Sequence, residues 1–249
     1  MQRVCARTNY DPGDHVTDTA LRELADDPSS RKRFFKMIGG AGAVSAFGVV
    51  LAACGDDDKD KASSSSDSTS AGSVDAKADN ASDLKIVNYA LTLEYLEAEF
   101  YKQVLESGMV KDKEIGELAK SIQENEQEHV DALTATAKKL GGTPAPKPKT
   151  KFEGVISKGP KTILETAADV ENLGAAAYLG QAGNIKSKEV LAAALAIHTV
   201  EARHAAALNQ LVGRGFKAKK GQGSIPDGPF AKPMDMDAVL KAVQPFIAS

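Results

Sequence analysis

The sequence contains no tryptophan and only two cysteines, Cys5 and Cys54. Aromatic residues make up just 5% of its 249 residues. Because both cysteines lie near the beginning, the rest of the chain can form neither a disulfide framework nor a zinc site of cysteine ligands. The formal net charge of −3 gives no support to a basic surface for nucleic acid, so we expect no nucleic-acid partner. Any metal chemistry here must depend on carboxylates and histidines.

Residues 1–53 are typical of an export signal. Residues 30–36, Ser-Arg-Lys-Arg-Phe-Phe-Lys, are similar to the twin-arginine motif, but Lys32 replaces the second arginine and leaves the export route open. An apolar stretch at residues 37–53 follows, at the lower limit of length for crossing a bilayer. It ends in Leu-Ala-Ala-Cys-Gly at residues 51–55, which resembles a bacterial lipobox. This resemblance implies that Cys54 is acylated and becomes the first residue of the mature protein.

We therefore expect an exported protein that is lipid-anchored through Cys54 to the outer face of the bacterial cytoplasmic membrane, in the cell envelope. The alternative is a permanent N-terminal membrane helix with an incidental cysteine, and it places the remainder of the chain on the same side. Residues 54–82 are rich in Ser, Asp and Lys and have few large apolar side chains. Such a segment buries too little surface to fold, which predicts a flexible tether.

The sequence predicts an all-α fold, an antiparallel four-helix bundle at residues 83–212. Apolar residues recur at alternating three- and four-residue spacing, as on the inward face of a bundle helix. The expected helices are residues 83–107, 112–140, 161–183 and 187–212, with glycine at or just beyond each end. Residues 143–160 contain four prolines and no periodicity, which predicts a long crossover between helices 2 and 3. In the tail, residues 213–249, we expect a short helix near Asp235–Val243, packed across one end of the bundle.

Two copies of one motif lie on the inward faces of these helices. Each copy has a glutamate, a tyrosine seven residues later, and a Glu-x-x-His on the following helix. The second copy follows the first at a separation of 75 to 77 residues (204 − 129 and 171 − 94). The first copy is Glu94, Tyr101, Glu126 and His129, and the second is Glu171, Tyr178, Glu201 and His204.

The spacing within each Glu-x-x-His has a chemical meaning. Residues i and i+3 of a helix point to nearly the same side, so each motif presents a carboxylate and an imidazole together. Four carboxylates and two imidazoles on one bundle axis form a dinuclear metal site, and their four negative charges cancel two divalent ions. Without metal, the carboxylates would repel one another in the core. We therefore predict two divalent ions bound by Glu94, Glu126, His129, Glu171, Glu201 and His204.

Four further side chains near the predicted ligands leave alternatives open. Tyr101 and Tyr178 either pack in the core or act as hydrogen-bond partners and electron donors, and we name them as candidate catalytic residues. Glu97, one turn after Glu94, is an alternative ligand or a carboxylate on the path by which iron enters. His198 is either a polar histidine of the core or a side chain that supports the site or faces the substrate.

Two segments of the chain resemble the ferritin-like superfamily, in particular its exported, stress- or desiccation-associated branch. They are residues 88–101, Asn-Tyr-Ala-Leu-Thr-Leu-Glu-Tyr-Leu-Glu-Ala-Glu-Phe-Tyr, and residues 200–206, Val-Glu-Ala-Arg-His-Ala-Ala. The resemblance covers about residues 83–249, and all six ligand positions match together. By position it implies that Glu126 and Glu201 bridge two metals. It implies that the other ligands are Glu94 with His129 for one metal and Glu171 with His204 for the second.

The resemblance also implies an activity. Such proteins bind iron, or in some members manganese, and their partners are Fe(II) and dioxygen or peroxide, so we expect Fe(II) oxidation or peroxide removal. Manganese catalase activity fits the same ligands. Rubrerythrin-like members carry a cysteine-rich rubredoxin module, which this chain lacks. The tether and tail argue against a closed storage cage and leave a homodimer open. The alternative class is a non-catalytic envelope bundle that protects the cell under stress, with a structural or vestigial metal site.

Overall fold

The computed structural model describes residues 72–217, 222–226 and 228–248. The predicted export signal, the lipobox and Cys54 lie outside these residues. The predicted all-α class is confirmed, because the described ranges contain helices and a single isolated β-bridge. The helices are α1 (Gly72–Ser107), α2 (Lys113–Lys139), α3 (Glu153–Ile156), α4 (Pro160–Ala182), α5 (Lys188–Leu211) and α6 (Met236–Val243), followed by a 3-10 turn (Gln244–Phe246). In this part of the chain no helix is both long and apolar enough to cross a membrane.

Four of these helices form the bundle. α1 packs mainly against α2, and α4 packs mainly against α5, while smaller contacts between α1 and α4 and between α2 and α5 join the two pairs. The bounds of α2, α4 and α5 lie within one residue of the predicted ones. Local chemistry explains where they begin: the side chains of Asp112 and Ser187 accept the N–H groups of Ile115 and Val190. Pro160 opens α4 at a position where no N–H is needed.

The first bundle helix begins earlier than the sequence analysis predicts. α1 starts at Gly72, eleven residues before the expected start (83 − 72), so part of the predicted flexible tether is helical. Residues 77–81 of this extension are exposed, and the stretch is rich in alanine and free of proline. Its helical form therefore follows from continuity with α1, since three alanines favour it and no proline interrupts it.

Asp83 has a different role from the helix start that its position suggested. It lies inside α1 and is fully buried. Its two carboxylate oxygens accept the backbone N–H groups of Lys186 and Ser187, at 2.8 and 2.7 Å. These groups belong to the turn between α4 and α5. The contact thus fastens α1 to the far pair of helices at one end of the bundle.

The crossover between α2 and α4 runs along the outside of α1. Near its beginning, the side chain of Asn88 binds the backbone of the crossover. Further along, Lys147 pairs with Glu99, and the ring of Phe152 packs edge-on against Phe100 at a centroid distance of 5.1 Å. The crossover therefore follows α1 along much of its length, which lets α4 start at the end of the bundle opposite to the end of α2.

The C-terminal segment packs along the side of the bundle, and the predicted position across one end is wrong. The N–H of Met234 donates to the carbonyl of Ala176 within α4, at 3.0 Å. Gly180 allows this approach, because a Cβ there would lie 1.9 Å from the Met234 oxygen. Beyond α6, Ile247 forms an antiparallel bridge with Thr150 of the crossover. Two buried valines of α6 join the main core cluster, so the tail completes a lateral wall of the bundle.

Candidate metal centre

The two copies of the motif meet inside the bundle. Two overlapping groups of side chains each offer ligand atoms that all lie within 4.8 Å of one another. One group is Glu94, Glu126, His129 and Glu201, and the other is Glu126, Glu171, Glu201 and His204. The structure therefore brings all six predicted ligands together. Glu126 and Glu201 belong to both groups, which is the arrangement expected of bridging residues.

His129 faces three carboxylates with one ring nitrogen. Its Nδ1 atom lies 3.0 Å from Glu126 Oε2, 3.2 Å from Glu94 Oε2 and 3.2 Å from Glu201 Oε1. Three helices supply these contacts, because Glu94 is on α1, Glu126 on α2 and Glu201 on α5. The imidazole is mostly enclosed, with 11% of its side chain exposed. The Nδ1 atom is thus the one that points towards a metal position.

His204 repeats this orientation and adds a partner on the far side of its ring. Its Nδ1 atom lies 3.0 Å from Glu126 Oε1 and 3.1 Å from Glu171 Oε2. Its Nε2 atom lies 3.1 Å from the side-chain amide of Asn125, whose oxygen can accept the ring N–H when Nδ1 binds a metal. Such outer partners orient metal-ligating histidines. The matching position of the second copy is Val200, which has no polar side chain, so the two halves differ at this point.

The tyrosines bind the glutamates of the opposite copy. The hydroxyl of Tyr101 on α1 donates to Glu171 Oε1 on α4, at 2.6 Å, and the hydroxyl of Tyr178 on α4 donates to Glu94 Oε1 on α1. Burial, and then repulsion from the bound glutamate, raises the pKa of each tyrosine well above its ordinary value. Both phenols therefore stay protonated and serve as hydrogen-bond donors. Their part in electron transfer stays a prediction.

The sequence matches the family described as the ferritin-like domain over residues 82–214. This match covers more than half of the 249 residues. The chain belongs to the ferritin-like domain family. All six candidate ligands of this ferritin-like protein lie inside the matched residues, whereas the C-terminal segment beside α4 lies outside them. No curated protein matches the sequence. The exported, stress-associated branch stays a prediction.

A fifth carboxylate belongs to the centre. Glu97 of α1 is only 2% exposed, and its Oε2 atom has no hydrogen-bond partner in the part of the chain that the structure describes. Gly174 of α4 provides the space, because a Cβ at this position would lie 2.7 Å from Glu201 Oε2 and 3.0 Å from Glu97 Oε1. Glu97 is among the candidates that the sequence indicates, but Gly174 is not. A glycine within a helix does not by itself indicate which side chains pack against it.

His198 lies apart from the two groups of ligands. Its Nδ1–H donates to the backbone carbonyl of Ala175 on α4, at 3.0 Å, and the residue is half-buried. This contact matches the polar core histidine among the two alternatives. The side chain therefore offers a natural control for the motif histidines, since it lies on the same helix as His204.

The carboxylates of the centre differ in how they hold protons. Burial, followed by repulsion from neighbouring carboxylates, raises the pKa of Glu97, Glu126 and Glu201 well above the usual range. Burial also acts to raise the pKa of Glu94, but the charge of His129 and the hydrogen bonds to Glu94 outweigh it, so this pKa is lowered. For His129, burial favours the neutral ring, yet attraction by Glu94 and the other carboxylates raises its pKa.

The unsatisfied oxygens fit bound cations. Glu126 Oε1 and both carboxylate oxygens of Glu201 are buried and make no hydrogen bond of regular geometry among the described residues. Glu126 Oε1 and Glu201 Oε1 each lie near one imidazole Nδ1, at 3.0 and 3.2 Å, but each of these nitrogens is shared with other carboxylates. Buried polar atoms without partners are rare in proteins and indicate a missing ion or water. These oxygens belong to Glu126 and Glu201, the two residues that both groups of ligands share. A cation in either group could therefore be bound by both of these residues. Carboxylate oxygens with imidazole nitrogens suit Fe(II) and Mn(II).

Proposed function

We propose that this protein holds a dinuclear metal centre, with iron as the main candidate and manganese as the alternative, and that it oxidises Fe(II) or consumes peroxide. The observation that carries the proposal is the set of buried oxygens on Glu126 and Glu201 that make no hydrogen bond of regular geometry among the described residues. Carboxylates that are gathered in a dry core destabilise the fold unless cations compensate for their charge. The ferritin-like domain family and the two overlapping groups of ligands support the same conclusion.

The side chains divide the work of holding the metals. Glu126 and Glu201 would bridge the two ions, and each ion would take one imidazole Nδ1 and one further glutamate. When bound, such a metal pair supplies one electron from each ion to dioxygen or peroxide. Two electrons and two protons convert dioxygen to hydrogen peroxide, and two more of each convert hydrogen peroxide to two waters. The iron is oxidised from Fe(II) to Fe(III) in either case.

The protein itself orients the ligands and excludes water. The phenols of Tyr101 and Tyr178 each hold one glutamate by a hydrogen bond, and Asn125 holds the ring of His204. All five carboxylates of the centre are buried, which strengthens their attraction for cations relative to water. A centre of this kind is positioned before metal arrives, so little rearrangement is needed on binding.

Metal content of the protein purified from its native host, without chelator, is the first test. We expect about two iron or manganese ions per chain, as a site of this ligand set holds. Glu126→Ala and His204→Ala should lose metal, whereas the matched variants Glu124→Ala and His198→Ala should keep it. Glu124 lies two residues from Glu126 on α2, with 57% of its side chain exposed. A native protein without transition metal would contradict the proposal.

Turnover is the second test. Protein that is loaded anaerobically with Fe(II) is mixed with dioxygen or with hydrogen peroxide, and the oxidation of iron is followed by absorbance. Rapid oxidation supports the proposed activity, and dioxygen release from peroxide by manganese-loaded protein indicates catalase activity instead. Bound metal that reacts with neither oxidant would favour the non-catalytic envelope bundle.

We also propose that the protein is exported and anchored by a lipid at Cys54, on the outer face of the cytoplasmic membrane. The support is the resemblance of residues 51–55 to a lipobox. Cells that express the protein are labelled with a palmitate analogue, and Cys54→Ala should abolish the label. Cys5→Ala is the matched control and should keep it. An unmutated protein without label would end the lipoprotein proposal.

A further inference from the structure

Two cavities lie on opposite sides of the candidate metal centre. The larger cavity has a volume of about 20 Å³. On α1 its lining residues precede Glu94 in sequence, and on α4 they follow Glu171. The smaller cavity has a volume of about 10 Å³. On α1 its lining residues follow Glu94 in sequence, and on α4 they precede Glu171. The doubled motif thus has an apolar space beyond each of its halves.

Each cavity reaches the ring of a tyrosine that binds the centre. Tyr178 lines the larger cavity and donates its hydroxyl hydrogen to Glu94. Tyr101 lines the smaller cavity and donates to Glu171. A molecule in either cavity is therefore separated from a candidate metal ligand by a single side chain.

The polarity of the larger cavity restricts its occupant. Its lining is aliphatic or aromatic apart from the hydroxyls of Tyr89, Thr136 and Tyr178 and the amide of Gln181. Thr136 and Tyr178 donate to other acceptors, Gln181 accepts from a neighbouring amide, and together the lining side chains expose almost no polar surface to the cavity. The hydroxyl of Tyr89 alone is buried without a partner among the described residues. A water or a peroxide molecule needs two to four polar partners, whereas apolar cavities stay dry and take up apolar molecules.

The size of each cavity restricts its occupant further. A single water-sized molecule requires roughly 10–15 Å³ of cavity volume. The larger cavity, at about 20 Å³, has room for a molecule of two heavy atoms, while the smaller, at about 10 Å³, does not. A small apolar molecule with two heavy atoms describes dioxygen.

We propose that the larger cavity is a binding site for dioxygen, from which the gas reaches the metal centre past Tyr178. The proposal rests on the proposed function, in which dioxygen is an oxidant of the bound metal, and it names dioxygen as the oxidant that this bundle is shaped to collect. Hydrogen peroxide gains no hydrogen bonds in the cavity and does not depend on it.

Binding of dioxygen is tested on the metal-free protein by NMR under oxygen pressure. Dissolved dioxygen is paramagnetic and speeds the relaxation of nearby methyl protons. We expect severalfold greater enhancement at the methyl groups of Ala90, Ala177 and Ala194 in the larger cavity than at those of Ala119 and Ala167 in the smaller. Equal enhancement at both sets, or none at the first, would overturn the proposal. This measurement needs no metal and no turnover.

Use of the bound gas is tested by filling the cavity. Ala194→Val adds two methyl groups to the lining of the larger cavity, and Ala167→Val adds the same groups to the smaller. Oxidation of loaded Fe(II) by dioxygen should slow severalfold in Ala194→Val alone, while oxidation by hydrogen peroxide stays unchanged in both variants. Ala193→Val is a second filling variant on the same wall, for use if Ala194→Val does not fold.

The two experiments separate the possible failures. Slowing of both oxidants to the same degree, or an unchanged dioxygen rate in both filling variants, would refute the role of the cavity. An unmutated protein that binds metal but reacts with neither oxidant would refute the proposed function, and the relaxation measurement would still decide whether dioxygen occupies the cavity.

Discussion

Replacing Glu201 with glutamine removes a buried carboxyl group whose oxygens lack hydrogen-bond partners, and it keeps the size of the side chain. Burial and repulsion from Glu126 raise the pKa of Glu201 well above the ordinary 4.5. In the metal-free protein, at pH values between 4.5 and this raised pKa, the folded state therefore keeps a proton that the unfolded chain releases. Glutamine has no such proton, so the metal-free variant should be more stable than the unmutated protein.

The size of this effect follows from proton linkage. Between pH 4.5, the ordinary pKa of this carboxyl, and pH 7, the unfolded chain gains about 1.36 kcal/mol per pH unit by releasing the proton. The gain has an upper limit of about 3 kcal/mol at pH 7, which for a domain of this size corresponds to a rise in melting temperature of at most roughly 6–12 °C. Because the pKa of Glu201 is raised in the folded state, this carboxyl does not reduce the stability of the unmutated protein below pH 4.5. Above pH 4.5 the stability falls as the pH rises. The advantage of Glu201→Gln should therefore vanish near pH 4.5.

Metal should reverse the order of stability. A divalent ion at one hundred times its dissociation constant stabilises the folded state by about 2.7 kcal/mol per site. Glu201→Gln removes an anionic ligand that both metal groups share, so the variant should gain much less. Thermal unfolding is followed by circular dichroism at pH 7 and pH 5, with chelator and with Mn(II).

The control for this substitution is Glu124→Gln, which makes the same chemical change on the exposed face of α2. It should alter stability by no more than about 0.5 kcal/mol, with or without metal. The reasoning is refuted if metal-free Glu201→Gln is less stable than the unmutated protein at pH 7, or if both show the same dependence on pH.

Three further outcomes are expected. Because the pKa values of Glu126 and Glu201 are raised, metal binding at neutral pH should release protons. The heat of binding measured by calorimetry should then vary with the ionisation enthalpy of the buffer, and identical heats in different buffers would contradict this. Gly174→Ala should weaken metal binding, because the new Cβ displaces Glu201. In the control Gly116→Ala the new Cβ meets nothing within 4 Å, so this variant should only gain up to about 1 kcal/mol of helix stability. Equal metal affinities of the two variants would show that the Glu201 carboxylate moves aside freely. Asp83→Ala should lower the free energy of unfolding by about 1–3 kcal/mol and speed hydrogen exchange at the backbone N–H groups of Lys186 and Ser187. Unchanged exchange at these two groups would show that Asp83 does not hold this turn.

The sequence indicated which side chains would lie together in the core because their signal is local. A helix turns through a fixed angle per residue, so Glu126 and His129 face the same way wherever the helix lies. The apolar residues around them then show that this face is inward. The same reasoning placed the limits of α2, α4 and α5, since caps and glycines act within a few residues.

Features that depend on contacts between distant helices could not be predicted in this way. The role of Gly174 requires knowledge of which carboxylates face α4, and the role of Asn125 requires the position of His204 on another helix. Asp83 resembled a helix cap because its partners are more than 100 residues away. The sequence indicated a short helix near Asp235–Val243 but not the surface against which it packs.

The crossed hydrogen bonds of the two tyrosines link the halves of the chain. Tyr101 and Glu94 belong to one helical hairpin, and Tyr178 and Glu171 belong to the other, yet each phenol binds the glutamate of the opposite hairpin. The hairpins therefore exchange partners as two identical subunits around a two-fold axis would. Neither hairpin supplies the phenol that binds its own glutamate, so the two groups of candidate ligands depend on each other, and damage to one half reaches the ligands of the other.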